Sequence, residues 1–263
     1  MARFEQDVAL VTGAGSGIGR ATAIEFAAEG VAVAIVDRNA EAAFATVNDI
    51  TANGGRAHAV VADVGLPGDC SRVVRETEEV FGPMSLLVNA AATFLTRGED
   101  ATASDWDVSL AINVRAIALI VAAAAPSMRR RGRGSVVNIA SISGHIAQPG
   151  RWTYNTTKGA VLSLTRAQAW DLARDHIRVN SVSPGTIWTP QVDREAGGDR
   201  ARWEPIWGAK HMLGRCGEPS EVARAILFLC SSDASFITGT DLPVDGGYLH
   251  MSHDSPDEGE RYK

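Results

Sequence analysis

Short apolar runs alternate with helix-like stretches along almost the whole chain, and this alternation limits the folds available to it. The apolar runs occupy residues 8–11, 31–36, 60–61, 86–88, 135–139 and 179–182. They show little polar alternation, which is typical of strands covered on both faces in a parallel sheet. The helix-like stretches between them include residues 18–29, 40–52, 68–81 and 104–131. The pattern predicts an α/β fold, a doubly wound parallel sheet of about seven strands with helices on both faces.

The alternation continues from residue 7 to residue 247 without a linker or an internal repeat. The sequence therefore predicts a single domain, residues 1–251. Residues 252–263 are polar and turn-rich, so we expect a disordered or partner-dependent tail there. His250 and His253 are three residues apart but have no third ligand nearby, so no metal site is predicted.

Composition narrows the class of protein. Of the 263 residues, 45% are hydrophobic and 21% charged, which is typical of a globular protein with a substantial core. The formal net charge of −6 gives no electrostatic support for a nucleic-acid partner. Three widely spaced cysteines indicate a reducing compartment. No apolar run is expected to reach membrane-spanning length, and the N-terminus has no signal-peptide core, so we expect a cytoplasmic protein without a membrane partner.

A glycine-rich turn follows the first predicted strand and opens the first predicted helix. Its spacing is T-G-x-x-x-G-x-G, and Ile18 occupies the position of the last glycine in the generic G-x-G-x-x-G pattern. Glycines there allow a tight turn and let backbone amides approach a pyrophosphate at the helix N-terminus. The turn alone fits a simple strand–helix connection equally well. Its position favours a dinucleotide site, formed by Gly13, Ser16, Gly17, Ile18 and Gly19.

Asp37 lies just past the second predicted strand, where an acid can accept hydrogen bonds from the adenosine ribose hydroxyls. A carboxylate there also repels a 2′-phosphate, and Ser16 adds no positive charge. The sequence therefore favours NAD over NADP as the cofactor. Two alternatives stay open. Arg38 can pair with a phosphate, and Asp37 can serve as a helix N-cap.

Tyr154 and Lys158 are four residues apart, with Ser141 thirteen residues before Tyr154. Residues at i and i+4 share one face of a helix, so the phenol and the ammonium are expected to lie together. A neighbouring ammonium favours the phenolate, and we expect it to lower the pKa of Tyr154. The pair alone is compatible with ordinary surface residues. With the dinucleotide turn, it indicates a base for alcohol oxidation.

The ordered motifs resemble those of the short-chain dehydrogenase/reductase family, in its compact single-domain branch. The resemblance covers nearly the whole chain, from residue 7 to residue 248, and implies a Rossmann-type fold and an enzyme that interconverts alcohols and ketones with a nicotinamide cofactor. It rests on the following residues and motifs: Thr12 to Gly19, Asp63-Val64, Asn89-Ala90-Ala91, Asn113, Ser141, Tyr154-x-x-x-Lys158, Pro184-Gly185 with Thr189, and Asp245-Gly246-Gly247.

The resemblance implies cofactor contacts at positions that spacing alone does not assign. Asp63 and Val64 look like adenine contacts, and Asn89 and Ala90 are similar to residues that line the cofactor near its ribose. The carboxamide side of nicotinamide is implied to dock on a segment made of Pro184, Gly185, Ile187 and Thr189.

The resemblance also implies four catalytic residues. Asn113 resembles the asparagine whose backbone supports a proton-relay water, and Ser141 the residue that orients the substrate oxygen. Tyr154 looks like the acid/base. Lys158 is implied to hold the nicotinamide ribose and to lower the pKa of Tyr154.

One motif departs from the family pattern. The family usually has Asn-Asn-Ala-Gly after the fourth strand, whereas Asn89 is followed here by Ala90, Ala91 and Ala92. Ala90 removes a hydrogen-bonding side chain, and the Cβ of Ala92 restricts the backbone. This departure leaves room for an altered cofactor affinity.

The segment from Thr186 to Gly217 is expected to be a long loop, acting as a lid over a substrate site. Its tryptophans, Trp188, Trp203 and Trp207, fit either stacking on a sugar or alicyclic ring or packing of the loop onto the body. Three residues before Tyr154 are further candidates for the pocket, namely His145, Gln148 and Trp152. For His145 a loop residue satisfied by backbone is an equal alternative.

Three functions are open at this point. The first is an NAD-dependent dehydrogenase for a small or cyclic hydroxyl compound, possibly a sugar or polyol. The second is an NADP-dependent carbonyl or acyl-carrier reductase, and the third is a non-catalytic NAD-binding module. The helices predicted near residues 116–125 and 153–174 resemble the family's tetramer-forming faces, which implies a homotetramer.

Overall fold

The computed structural model describes residues 3–4 and 6–251 and places seven strands in one parallel sheet. The strand order is β3-β2-β1-β4-β5-β6-β7. The strands are β1 (Val8–Thr12), β2 (Ala32–Asp37), β3 (Arg56–Val61), β4 (Leu86–Asn89), β5 (Gly134–Ile139), β6 (Ile177–Pro184) and β7 (Asp241–Val244). The predicted doubly wound Rossmann-type sheet is confirmed. The division between a domain and a tail stays a prediction, because residues 252–263 lie outside the described part.

Nine α-helices connect the strands of the described chain. They are α1 (Gly17–Ala28), α2 (Ala40–Ala52), α3 (Pro67–Phe81), α4 (Ala103–Leu110), α5 (Ala116–Arg131), α6 (Trp152–Leu172), α7 (Pro190–Glu195), α8 (Arg200–Gly208) and α9 (Pro219–Cys230). The first three begin and end within one residue of their predicted limits. The stretch predicted as one helix over residues 104–131 is interrupted by a π-helical turn, Ala111–Arg115.

The segment between Thr186 and Gly217 is not a structureless loop, because α7 and α8 lie within it. Thr189 caps α7 by accepting a hydrogen bond from the backbone N–H of Val192 at 3.3 Å. Asp199 caps α8 by accepting from the N–H of Arg202 at 3.0 Å. Threonine and aspartate are good helix N-caps because their oxygens satisfy first-turn N–H groups. The sequence carried this signal, but the helices are too short to show a clear apolar period.

The core has two halves, one on each face of the sheet. On one face, Leu10 and Val136 pack with side chains of α3, α5 and α6. On the other face, Val11 and Val33 pack with side chains of α1, α2 and α9. Successive strand residues point to opposite faces, so strands covered on both sides must be apolar throughout. This explains the weak polar alternation in the sequence.

Residues Ala103–Arg131 form a helical segment of 29 residues that is apolar and long enough to cross a membrane by length and composition. The expectation that no run reaches that length is therefore wrong. Within its most apolar window, 44% of the residues are buried inside the fold. Ile117, Ile120, Ala124 and Met128 follow a helical period and are nearly inaccessible to solvent. One face of α5 is thus part of the core.

Candidate active site

A cavity of about 620 Å³ lies at the carboxyl ends of the strands. The strand order reverses between β1 and β4, and open α/β sheets bind ligands in the crevice at such a reversal. All but two of the predicted site residues line this cavity: Gly13, Ser16, Gly17, Ile18, Gly19, Asp37, Asp63, Val64, Ala90, Ser141, Tyr154, Lys158, Pro184, Gly185, Ile187 and Thr189. The two exceptions, Asn89 and Asn113, are buried behind its wall.

The glycine-rich turn packs too closely for side chains. Gly13 has a φ of +65°, and a Cβ there would come within 2.9 Å of the Ala91 backbone. A Cβ on Gly19 would collide with the carbonyl of Gly13. Ser16 is the N-cap residue of α1, but its side chain accepts no capping hydrogen bond. The first-turn N–H groups of α1 therefore keep the capacity to bind an anion, and the turn fits the pyrophosphate of a dinucleotide.

Asp37 is held at the end of β2 by two backbone groups. Its Oδ2 accepts a hydrogen bond from the N–H of Gly15 and its Oδ1 accepts from the N–H of Asn39, both at 2.9 Å. Asn39, not Asp37, is the N-cap of α2 and accepts from the N–H of Ala42 at 3.1 Å. The alternative that Asp37 is a helix cap is therefore wrong. Its carboxylate is fixed at the edge of the cavity, with lone pairs left for ribose hydroxyls.

The turn after β4 is held by a side chain from β1. The Oγ1 of Thr12 accepts hydrogen bonds from the N–H groups of Ala90 and Ala91, both at 3.1 Å. Ala90, Ala91 and Ala92 line the cavity. The replacement of the family's second asparagine by Ala90 thus leaves the backbone of this turn anchored.

Asn89 lies beneath that turn, not on the cavity wall. It is only 2% exposed, and its Nδ2 donates to the Oδ1 of Asn138 on the neighbouring strand β5 at 2.9 Å. The side chain of Asn89 therefore does not line the described cavity, and the implied place of Asn89 near the cofactor ribose stays a prediction. Side chains alternate along a strand, and the one at the end of β4 points toward its cross-strand partner.

Ser141, Tyr154 and Lys158 meet on the wall formed by β5 and α6. Ser141 follows β5, and its Oγ accepts a hydrogen bond from the N–H of Ser143 at 3.1 Å. Tyr154 and Lys158 are one turn apart on α6, as predicted, with Nζ 5.5 Å from the centre of the tyrosine ring. The ammonium group donates to the backbone carbonyl of Ile139 at 2.6 Å.

The pKa of Tyr154 does not shift in the predicted direction. Desolvation raises the pKa of its phenol above the usual value of 10.0, and a hydrogen bond from Ser141 opposes this only in part. Desolvation also lowers the pKa of Lys158 from 10.5 to about 8. Both groups are removed from water, which penalises each charged form. The prediction that Lys158 lowers the pKa of Tyr154 is therefore wrong for the protein chain by itself.

Asn113 acts as a buried connector. It lies in the π-helical turn between α4 and α5 and is 1% exposed. Its Oδ1 accepts from the N–H of Thr93 at 2.8 Å, and its Nδ2 donates to the carbonyl of Thr93 and to the Oγ1 of Thr157, each at 3.0 Å. These bonds tie the loop after β4 to the helix that carries Tyr154. Turns of π-helix are frequent at functional sites.

Sequence reasoning missed two cavity residues beside Tyr154. The ring of Phe94 meets that of Tyr154 edge to face, with 4.6 Å between centres. The guanidinium of Arg151 lies over the ring of Phe94, 4.8 Å from the ring centre. Arg151 is three residues before Tyr154, so helical spacing gave a usable signal for it. Phe94, in an irregular segment, gave none.

The other pocket candidates separate into two groups. Gln148 and Trp207 line the cavity. Trp188 is 8% exposed and packs with Trp203 and Trp207, so the packing alternative holds for much of the tryptophan cluster. Neither His145 nor Trp152 lines the cavity.

His145 is satisfied by side chains, and not by backbone as the alternative expectation had it. Its Nε2 lies 2.9 Å from the Oδ2 of Asp241 and 3.1 Å from the Oγ of Ser183. Over residues 3–4 and 6–251, no three histidine, cysteine or acidic side chains are grouped to hold a metal ion. His253 lies outside the described residues.

The chain is similar to known proteins over nearly its whole length. A family profile described as enoyl-(acyl carrier protein) reductase matches residues 13–249. The chain is 38% identical over 249 residues to a cyclohexanol dehydrogenase of Acinetobacter sp. (strain SE19), covering 94% of this chain and 96% of that protein. It is 37% identical over 252 residues to a cyclopentanol dehydrogenase of Comamonas sp. (strain NCIMB 9872), covering 94% and 99%.

The chain is also similar to a solved structure over nearly its whole length. A short-chain type dehydrogenase/reductase from Mycobacterium marinum matches with a TM-score of 0.85 and 34% sequence identity, covering 93% of this chain and 96% of the other.

Proposed function

The chain belongs to the short-chain dehydrogenase/reductase family, and we propose that it interconverts a secondary alcohol and a ketone with NAD as the hydride carrier. The observation that carries the proposal is the meeting of Ser141, Tyr154 and Lys158 on the wall of a cavity that also contains a dinucleotide-type turn. When bound, the nicotinamide ring supplies the acceptor for a hydride. The chain itself supplies positioning and the transfer of a proton.

Tyr154 is the proposed acid/base. In oxidation, the carbinol carbon loses a hydride with its electron pair, the alcohol oxygen loses its proton to the Tyr154 phenolate, and a C=O bond forms. Ser141 is the proposed partner of the reacting oxygen, which it would hold by a hydrogen bond. Burial raises the pKa of Tyr154, and the Ser141 hydrogen bond and the charge of Arg151 oppose this rise. The positive charge of the oxidised cofactor would stabilise the phenolate further.

The preference for NAD rests on the carboxylate of Asp37. Its two hydrogen bonds to backbone N–H groups fix it at the cavity edge. A fixed negative charge there favours hydroxyls and disfavours a phosphate on the adenosine ribose. Arg38 also lines the cavity and is exposed, which keeps NADP as the lesser alternative.

A small or cyclic secondary alcohol is the proposed substrate class. Two relatives named for cyclohexanol and cyclopentanol support it. The aromatic rings of Phe94 and Trp207 provide apolar walls for an alicyclic ring. The rival function, an NADP-dependent acyl-carrier reductase, draws support from the description of the matching family profile. The net charge of −6 weakly disfavours a surface that docks an acidic carrier.

The test begins with titration of the purified protein with NADH and then NADPH, followed by energy transfer from its tryptophans. Tighter binding of NADH, together with NAD-dependent oxidation of cyclohexanol or a related alcohol, supports the proposal. Preference for NADPH with reduction of an acyl-carrier substrate favours the rival. Binding without turnover of any alcohol or ketone favours a non-catalytic NAD-binding module. The homotetramer and the cytoplasmic location stay predictions.

A further inference from the structure

Arg151 is the one partly buried arginine on the substrate side of the described cavity whose charge has no carboxylate partner. Its guanidinium donates to the Oε1 of Gln148 at 2.8 Å and stacks on Phe94. Two other arginines of the described chain, Arg178 and Arg200, are satisfied within the fold. Arg178 donates to backbone carbonyls, including that of Leu229 at 2.7 Å. Arg200 pairs with two glutamates.

The position of Arg151 links it to the reacting groups. It immediately precedes α6 and lies three residues before Tyr154. The guanidinium stacks on the ring of Phe94, and that ring in turn contacts the ring of Tyr154. Desolvation raises the pKa of Tyr154, and the positive charge of Arg151 lowers it together with the Ser141 hydrogen bond. Arg151 is thus close enough to act on the same small molecule as Tyr154.

The neighbours of Arg151 fix its plane and leave most of its donors available. Gln148 uses its Oε1 to accept from both Arg151 and the hydroxyl of Ser143. A guanidinium carries several N–H donors in a rigid fork, and the fork matches the two oxygens of a carboxylate. A stacked guanidinium also loses little conformational entropy on binding. Such a group is prepared to bind an anion.

We propose that Arg151 is a specificity-determining residue that binds a carboxylate on the substrate, so that the preferred substrate is a hydroxy acid and its keto acid. The inference rests on the proposed alcohol–ketone chemistry at Tyr154 and specifies its substrate class. The carboxylate would lie a few bonds from the carbinol carbon, on the side of the cavity formed by Phe94 and Gln148.

Glu195 offers a competing explanation for the unpaired charge. It ends α7, lines the same cavity and raises the pKa of Tyr154 through its negative charge, although desolvation is the larger cause. Its Oε1 accepts a hydrogen bond from Gln191 at 2.9 Å. If α7 moves toward Arg151 when the cavity fills, Glu195 and not the substrate would neutralise the guanidinium. The two explanations differ in their dependence on substrate charge.

The first experiment compares 3-hydroxycyclohexane-1-carboxylate with its methyl ester, which keeps the ring and the alcohol but removes the negative charge. We expect the acid to have the higher kcat/KM. Arg151→Gln should lower the value for the acid by about 10- to 100-fold, mainly through KM, and change that for the ester little. Arg151→Lys should restore part of the loss. Arg166→Gln, which removes an exposed arginine from the same helix, is the control.

A binding measurement separates this inference from the proposed function. With NADH bound, cyclohexanecarboxylate should quench tryptophan fluorescence in the native protein and in Tyr154→Phe, but only weakly in Arg151→Gln. If the native protein oxidises neither alcohol, the proposed function fails, and Arg151-dependent carboxylate binding still decides the inference. The inference would be overturned if Arg151→Gln lowered kcat/KM equally for the acid and the ester and Glu195→Gln did the same. That result would favour an ion pair between Arg151 and Glu195. Binding of cyclohexanecarboxylate that is independent of Arg151 would also overturn it.

Discussion

The carboxylate of Asp37 accepts a hydrogen bond from the backbone N–H of Gly15 at 2.9 Å, which joins the end of β2 to the glycine-rich turn after β1. A Cβ on Gly15 would come within 2.8 Å of the same carboxylate oxygen. Asp37 and the glycine-rich turn therefore form one packed unit. Asp37 is the acid proposed to select the ribose, and the turn is proposed to bind the pyrophosphate. Changes to either are expected to affect cofactor binding.

Replacing Asp37 by asparagine should narrow the preference for NADH over NADPH. The amide keeps one acceptor oxygen but removes the negative charge that repels a 2′-phosphate. The Kd for NADPH divided by the Kd for NADH should therefore fall by about 10-fold or more. Fluorescence titration with both cofactors measures it. Asp49→Asn, which removes an exposed acid that pairs with Arg20, is the control. An unchanged ratio in Asp37→Asn would mean that the ribose contact lies elsewhere.

Tyr154→Phe should keep the fold and NADH binding but lower kcat by about 100- to 10,000-fold, the usual contribution of a positioned acid/base. Only the phenolic oxygen is removed, so the edge-to-face contact with Phe94 is preserved. Trp170→Phe, on the exposed face of the same helix, should leave kcat unchanged. Near-native turnover by Tyr154→Phe would refute the proposed proton transfer.

Lys158→Met should lose activity and yet stabilise the protein at pH 7. Burial holds the pKa of Lys158 at about 8 in the folded state, against 10.5 unperturbed, so a buried charge disfavours folding below pH 8. Between about pH 8 and 10.5 the folded lysine loses its proton first, and the native protein regains this stability. The variant should therefore be more stable by about 1–3 kcal/mol at pH 7, an advantage that shrinks as the pH rises.

Urea denaturation of both proteins across that pH range measures the difference. Lys210→Met, at an exposed lysine, serves as the control and should show little dependence on pH. A destabilised Lys158→Met at pH 7 would show instead that the bond from Nζ to the carbonyl of Ile139 outweighs the cost of burying the charge.

Gly13→Ala should destabilise the protein by about 3 kcal/mol, because it adds a positive-φ penalty to a collision with the Ala91 backbone. Gly30→Ala is a matched comparison: its φ is +85°, but nothing lies within 4 Å of the added carbon. It should cost about 1 kcal/mol through backbone strain alone. Thermal unfolding of the two variants measures the difference. Equal destabilisation would show that the turn relaxes to admit a side chain.

The sequence by itself determined the order of the elements and the edge of the sheet at which the cavity lies. Strand runs and helical periods depend on local patterns, and a parallel sheet brings the carboxyl ends of its strands to one edge. Asp37, at the end of β2, was therefore predictable from its position, whereas the roles of Ser141 and Pro184 were implied by the resemblance to the family. The i, i+4 spacing likewise placed Tyr154 beside Lys158.

The tertiary structure alone decided which side chains face the cavity and how each is solvated. Asn89 turns toward Asn138, and Asn113 connects Thr93 to Thr157, because their partners lie on other elements. The pKa of Tyr154 rises where the sequence predicted a fall, since desolvation depends on every atom packed around the phenol. Spacing along one chain encodes neighbours within a helix or strand, whereas burial and contacts between elements exist only after the chain has folded.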